Sequence, residues 1–201
     1  MQEVERTAVF DPGDGKPPFR RGVLLILVNS QREIFAGERT DIPQDGKLWQ
    51  MPQGGIKSFF IGNHLRRQET VEEAAFRELS EEAGPKVRAD LISVGATPIK
   101  FDFDRDGNDK YRGQMLTPVL LRYVGGKIDI TRKEDGDTKP AFSSYGWFPA
   151  TEIIANATAV KAPVYAEALR LMAPALTNLG PRVPEGRIVV GDFRSRRNTP
   201  Q

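Results

Sequence analysis

The chain has 201 residues, 39% of them hydrophobic and 28% charged, and a net charge of +2. That is enough for one domain of ordinary size with a real core, and so small a net charge means that any contact with nucleic acid comes from a local patch. It contains no cysteine, which excludes disulfides and thiolate metal sites. No apolar run reaches membrane-spanning length, and the opening MQEVERTAVF has no apolar signal core. An intracellular protein is therefore expected, cytoplasmic by default with an organelle left open, and without a membrane partner.

Residues 1–18 contain DPGDGKPP and read as an irregular N-terminal segment. Arg21 to Asn29 and Glu33 to Glu38 read as two strands joined by a short turn, the first built on the apolar run VLLILV. Leu48 to Met51 reads as a short strand ended by Pro52 and Gly54–Gly55. Thr70 to Ala83 reads as a helix. Leu91 to Ile99 and Met115 to Val124 are strands separated by the polar stretch DFDRDGN, and Gly125–Gly126 turns the chain into Lys127–Ile130. Thr131 to Lys139 reads as a charged loop. Ser144 to Phe148 leads to Pro149, and Thr151 caps a short helix. Pro163 to Met172 reads as a helix with an apolar stripe of Val164, Ala168, Leu169 and Met172. Residues 180–201 read as a tail, with Ile188 to Val190 a candidate edge strand. Strands and helices alternate without a repeated βαβ rhythm, which indicates an α+β or mixed α/β domain over 19–179.

The chemistry concentrates in Glu69 to Gly84, ETVEEAAFRELSEEAG. Thr70 and Glu73 form a capping-box pattern that starts the helix, while Gly84 and Pro85 end it. Val71, Ala75 and Leu79 recur every four residues and mark the core-facing stripe. At about 100° per residue, Glu78 and Glu82 fall roughly 20° to either side of Val71, with Glu81 beside Glu78. Arg77 falls well away from them. Carboxylates crowded on a buried stripe repel one another and need a cation, and a hard divalent ion with oxygen ligands answers that need.

Glu69, seven residues, then Arg77-Glu78-Leu79-Ser80-Glu81-Glu82-Ala83-Gly84 resembles the Nudix box, G-x5-E-x7-R-E-U-x-E-E-x-G-U, where U is a bulky aliphatic residue. Upstream, Trp49 to Ile56 (WQMPQGGI) resembles the segment that precedes the box in RNA 5′-pyrophosphohydrolases and in dinucleoside polyphosphate hydrolases. Lys161-Ala162-Pro163-Val164-Tyr165 resembles the late K-x-x-V-Y helix of that branch. The likeness spans roughly Phe19 to Met172. It implies a Nudix fold, a mixed sheet in an α/β/α sandwich. It also implies Glu78, Glu81 and Glu82 as catalytic metal ligands for Mg²⁺ (or Mn²⁺), with a carbonyl of Gly54 or Gly55 as a further ligand. Glu69 and Arg77 become a structural ion pair. Arg20, Arg39 and Lys161 become phosphate contacts. Phe101, Phe103 and Tyr111 lie where an aromatic side chain is expected to stack on a base, at most one of them doing so.

Three departures stand out. Fourteen residues, 55 to 68, separate Gly54 from Glu69, nine more than the box has. The surplus lies within Lys57–Gln68, KSFFIGNHLRRQ, an enlarged loop that reads as a surface excursion or as a lid. Phe59, Phe60 and Ile61 offer it a protein partner, Arg66 and Arg67 offer it phosphate, and His64, the only histidine, reads as solvated. Pro85 replaces the closing aliphatic residue of the box. Ala141 stands where the branch often carries a glutamate, and Glu134, Asp135 or Asp137 are the nearby acids available instead.

The implied function is metal-assisted hydrolysis of a pyrophosphate bond in a nucleotide-derived small molecule, such as a dinucleoside polyphosphate, or at the 5′ end of RNA. The competing reading is a catalytically weakened Nudix module that binds RNA ends or a protein complex. Ala141 and the enlarged loop favour the second reading, and the intact acidic triad favours the first.

Overall fold

Val23 to Val28 are wholly buried on both faces, which makes this run the centre of the sheet rather than a surface strand. The computed structural model describes residues 3–40, 48–103, 110–132 and 139–179. In chain order the strands before the first helix are β1 (Glu3–Thr7), β2 (Val9–Phe10), β3 (Phe19–Val28), β4 (Ile34–Arg39), β5 (Trp49–Gln50), β6 (Gln53–Gly55), β7 (Lys57–Ile61) and β8 (His64–Gln68). Helix α1 (Val71–Glu82) follows, then β9 (Arg88–Val94), β10 (Ile99–Asp102), β11 (Gly113–Gly125), β12 (Phe142–Phe148), α2 (Ala150–Ala155) and α3 (Lys161–Thr177).

The main sheet runs β10-β11-β3-β4-β12, with β2 and β6 added to β3, β5 to β4 and β9 to β11. Strands β11 and β3 pair in parallel and the others antiparallel, so the sheet is mixed. Alternation along β3 divides the core. Leu24, Ile26 and Val28 pack with Val164, Tyr165, Ala168 and Met172 of α3, and Val23, Leu25 and Leu27 pack with Ala74, Ala75 and Leu79 of α1. The result is the expected α/β/α sandwich. No helix among the described residues is long and apolar enough to cross a membrane.

Helix α1 begins where its capping box predicts. Thr70 accepts from the Glu73 N–H at 3.1 Å, and the Glu73 carboxylate accepts from the Thr70 N–H at 3.0 Å. Gly84 ends it with a φ of +109°, and the Asp129 N–H caps the Ala83 carbonyl at 2.8 Å.

Five local readings change, the first being Leu91 to Ile99, which is split: β9 ends at Val94 and β10 begins at Ile99. The N-terminal segment expected to be irregular holds β1 and β2, because β1 finds its partner β7 more than fifty residues downstream (Glu3↔Ile61 to Thr7↔Lys57). The enlarged segment 57–68 is a β-hairpin, β7–β8, turning at Gly62 with a φ of +61°, and with β1 it forms a separate sheet of three strands. Lys127–Ile130 is not a strand; Ile128 and Ile130 pack on the α1-side core as irregular chain. Thr151 lies inside α2, whose N-cap is Pro149 without a side-chain hydrogen bond. Glu134, Asp135, Asp137 and the tail from 180 lie outside the described residues.

Candidate active site

Helix α1 places its acids as the wheel predicts. Glu78 and Glu82 are buried at 3% and 6% exposure, and Glu81 is partly exposed. In its present position the Glu78 carboxyl fits only because residue 54 is glycine, since a Cβ there would fall 2.0 Å from the carboxyl carbon and displace it. Antiparallel pairing of Gly54 with Val23 holds β6 at this distance, so sheet register sets the seat of the carboxylate.

Arg77 does not point away from the acids, as its wheel position suggests, because the side chain is long enough to swing back across them. Its Nε and Nη2 bind Glu69 Oε1 and Oε2 at 2.8 and 2.9 Å, and Nη2 also donates to the Gly55 carbonyl at 2.6 Å. Its Nη1 reaches Glu78 Oε1 at 2.6 Å and Glu81 Oε2 at 2.8 Å. Burial pushes the Glu69 carboxyl upward, but the hydrogen bonds from Arg77 and from the Lys57 N–H outweigh it and hold the group below the usual carboxylate range. Burial works against the Arg77 charge too, and the bonds to Glu69 and Glu78 more than reverse that, raising its pKa.

Glu82 faces the other way. Its Oε2 accepts from the backbone N–H of Gln53 at 2.9 Å. The Gln53 side chain continues the line, its Oε1 accepting from Lys161 Nζ at 2.8 Å and its Nε2 donating to Gln114 Oε1 at 3.3 Å. Lys161 also donates to Gln114 at 3.3 Å, and its ammonium lies 4.3 Å from the centre of the Phe101 ring. Desolvation, then repulsion from Arg39 and Arg20, push Lys161 down to about 7, with Glu82 opposing. Arg39 donates to Gln50 Oε1 at 3.2 Å, and Arg20 Nε lies 3.4 Å from the place a Gly55 Cβ would take.

The fold thus brings Arg20, Arg39 and Lys161 from three separate elements to one place, opposite acids that arrive on α1. Gln53 is the hinge between the two groups, and its role and that of Gln114 escape a motif reading. Their signal is present, however: an amide at the edge of a glycine pair and an amide in a long buried strand, Gln114 itself being only 7% exposed. Phe101 reaches the site, with one ring face occupied by Lys161. Phe103 sits edge-on to Phe101 at 6.2 Å, and the Lys110 ammonium lies 5.2 Å from the centre of the Tyr111 ring. Ala141 leads into β12 with its carbonyl accepting from the Thr40 N–H, and His64 is exposed as expected.

Three carboxylates, two of them buried, make a donor set suited to a hard divalent cation, and Gly54 lets the strand pass close against the Glu78 carboxylate. Among the described residues no group of three or more His, Cys, Asp or Glu side chains is arranged to hold a metal ion as it stands. Here Arg77 and the Gln53 N–H hold the acids.

The sequence profile of the NUDIX domain matches residues 18–168. An RNA pyrophosphohydrolase of Cereibacter sphaeroides (strain ATCC 17029) is 35% identical over 179 residues, covering 86% of this chain and 99% of that one. Nudix hydrolase 26, chloroplastic, of Arabidopsis thaliana is 34% identical over 167 residues, covering 78% and 71%. Among solved structures, the E. coli dihydroneopterin triphosphate pyrophosphohydrolase superposes with a TM-score of 0.52 at 14% identity, over 77% of this chain and 95% of that one, a likeness of fold. With the box in place on α1 and the profile matching most of its length, the chain belongs to the Nudix family of pyrophosphate-cleaving, divalent-metal-using hydrolases.

Proposed function

We propose that this chain removes pyrophosphate from the 5′ end of RNA, with dinucleoside polyphosphates as the second substrate class sharing the same phosphate chain. The observation that carries the reading is the opposition of Glu78, Glu81 and Glu82 to Arg20, Arg39 and Lys161 across Gln53. A polyphosphate needs cations along its length and a metal site at the bond to be cut, and this arrangement supplies residues for both. The similarity to RNA pyrophosphohydrolases over nearly their whole length supports the choice of RNA.

In this reading Glu78, Glu81 and Glu82 hold Mg²⁺, with Mn²⁺ able to replace it, and a carbonyl of Gly54 or Gly55 adds to the set. The bound ion neutralises phosphate oxygens and lowers the pKa of the attacking water. Arg20, Arg39 and Lys161 orient the phosphate chain so that the scissile bond faces the acids. Lys161 is the group suited to respond to substrate, since an arriving anion stabilises its charged form. Glu69 and Arg77 keep the box and the glycine strand in register and take no part in bond breaking. A carboxylate of the triad accepts the proton of the attacking water. We take the catalytic domain to span 19–179, with β1 joined to its inserted hairpin.

The test is product analysis with Mg²⁺ or Mn²⁺, comparing 5′-triphosphorylated RNA with diadenosine tetraphosphate. Release of pyrophosphate, or of phosphate in two steps, from RNA at a higher kcat/KM than for the dinucleotide is expected. Turnover of diadenosine tetraphosphate alone would remove RNA from the reading, and no turnover of either would favour a binding module.

A further inference from the structure

The three-stranded sheet formed by β1, β7 and β8 has an apolar row, exposed at its two ends and half-buried at its centre. Val4 stands opposite Phe60, and Phe60 opposite Leu65, so the three side chains lie abreast across the strands. Val4 is 46% exposed and Leu65 55%. Arg6, two residues along from Val4 and hence on the same face, lies over the Phe60 ring at 4.7 Å from its centre. Arg66 is the residue left without a cross-strand partner where the register shifts between Phe59 and Phe60.

The charges on this sheet are not equally compensated. Lys57 pairs with Glu5 at 3.1 Å and Arg67 with Glu73 at 2.9 Å. Arg6 and Arg66 have no carboxylate partner among the described residues. The root of the sheet also adjoins the phosphate site, through Thr7, whose side chain lies on the face opposite Val4 and Arg6. A Cβ at Gly55 would lie 3.3 Å from the Thr7 methyl and 3.4 Å from Arg20 Nε, so the near end of β1 and a substrate-facing arginine share one neighbour. From there five-residue strands run outward for about 16 Å.

We infer that this sheet is a binding platform for the single-stranded nucleotides that follow the 5′ end of an RNA substrate. Phe60, with Val4 and Leu65 beside it, gives a base an apolar surface to lie on when Arg6 swings from the ring to a phosphodiester, and Arg66 meets a second phosphate. A row of three side chains is too small for a stable protein interface, which needs about 800 Å² from each partner, and suits one or two bases. Two uncompensated arginines on a chain of net charge +2 likewise favour a polyanion. This inference rests on the RNA reading above and adds a second contact region to it.

The experiment compares a 5′-triphosphorylated RNA of twelve nucleotides with a 5′-triphosphorylated dinucleotide, using the full chain with Mg²⁺. For Phe60→Ala, and separately for Arg6→Ala with Arg66→Ala, KM for the long RNA should rise about 5- to 100-fold while kcat and all constants for the dinucleotide stay unchanged. The arginine pair should also flatten the salt dependence of long-RNA binding, by up to about 0.7 in log–log slope per lost contact. Equal constants for wild type and variants on the long RNA would overturn the platform and leave the RNA reading standing. A wild-type enzyme that cleaves diadenosine tetraphosphate and neither RNA would overturn the reading beneath it. Parallel losses on both RNA lengths, or a change in association state caused by the substitutions, would overturn the platform in favour of a structural or self-association role. Photo-crosslinking of wild type to long RNA carrying 4-thiouridine at its third or fourth nucleotide needs no variant to fold. Adducts within residues 3–7 or 57–68 are expected, and adducts confined elsewhere would overturn the inference.

Discussion

Arg77 grips both oxygens of Glu69 side-on, Nε to Oε1 at 2.8 Å and Nη2 to Oε2 at 2.9 Å. The pair is a two-point clasp between α1 and the strand that leads into it, and it is mostly buried. Arg77→Ala leaves Glu69 and Glu78 buried without their cation and should cost about 3 kcal/mol or more of stability. Urea denaturation measures this, and unchanged stability with lost turnover would place Arg77 in the chemistry instead.

The same clasp sets a pH dependence. The folded pKa of Glu69 lies below its ordinary value of 4.5. Its contribution to stability is therefore complete above that value and is lost as pH falls through the lower folded pKa. Glu69→Gln should be less stable than wild type at pH 7, and the difference should shrink below pH 4.5. The raised Arg77 pKa acts only above the ordinary arginine range, where it does not shape this curve. Thermal melts of both proteins across pH 3 to 7 provide the comparison, and parallel curves would contradict it.

Lys161 predicts the opposite sign. Its folded pKa is near 7 against an ordinary 10.5, so between those values the unfolded chain binds the extra proton and stability rises with pH. Lys161→Met should remove this slope. An anion placed beside Lys161 raises its pKa, so binding of a non-hydrolysable nucleoside polyphosphate at pH 8 should take up close to one proton. Calorimetric titrations in two buffers of different ionisation enthalpy read this directly, and equal proton uptake by Lys161→Met would exclude Lys161 as its source.

Glu81→Gln and Glu82→Gln each remove the charge of an acid proposed above as a metal ligand while keeping a hydrogen-bond acceptor, which Glu82 needs for the Gln53 N–H. Both variants should fold and lose at least about 10²-fold in kcat. Circular dichroism and steady-state kinetics test the two halves of the statement, and full activity in both would reject this face of α1 as the metal site.

The two glycines of β6 should differ sharply. Gly54→Ala places a methyl group 2.0 Å from the Glu78 carboxyl, whereas Gly55→Ala meets the Thr7 methyl at 3.3 Å and Arg20 at 3.4 Å, contacts that small side-chain shifts relieve. Divalent-metal affinity, measured by calorimetry, should collapse in the first variant and hold within a few-fold in the second. Equal losses would mean that the seat of Glu78 is not what β6 provides.

Much of this site is legible in the sequence because α1 is locally determined. Its cap, its stop and the angular positions of Glu78 and Glu82 follow from residues within one segment. Length and sheet register decide the rest. The wheel gives the direction of the Arg77 Cβ but not the reach of its guanidinium, which returns to Glu78 and Glu81. Phe101 is one of three rings read as candidates for stacking on a base, and that α3 lays Lys161 over it is not visible in the sequence. The N-terminal strand is hidden for a related reason: EVERT has no apolar alternation, and only its distant partner β7 makes it a strand.

Where the inserted hairpin leaves the domain, its two ends are tied to each other. The Glu69 N–H donates to the Lys57 carbonyl and the Lys57 N–H to Glu69 Oε2, both at 2.9 Å. Beyond the clip the hairpin is held by the β1 ladder and by the Arg67–Glu73 pair, so its tip around Gly62 is the part whose length can change without pulling on the acids that follow. The clip makes the hairpin tip a graft point, where a foreign peptide can be inserted while α1 keeps its place.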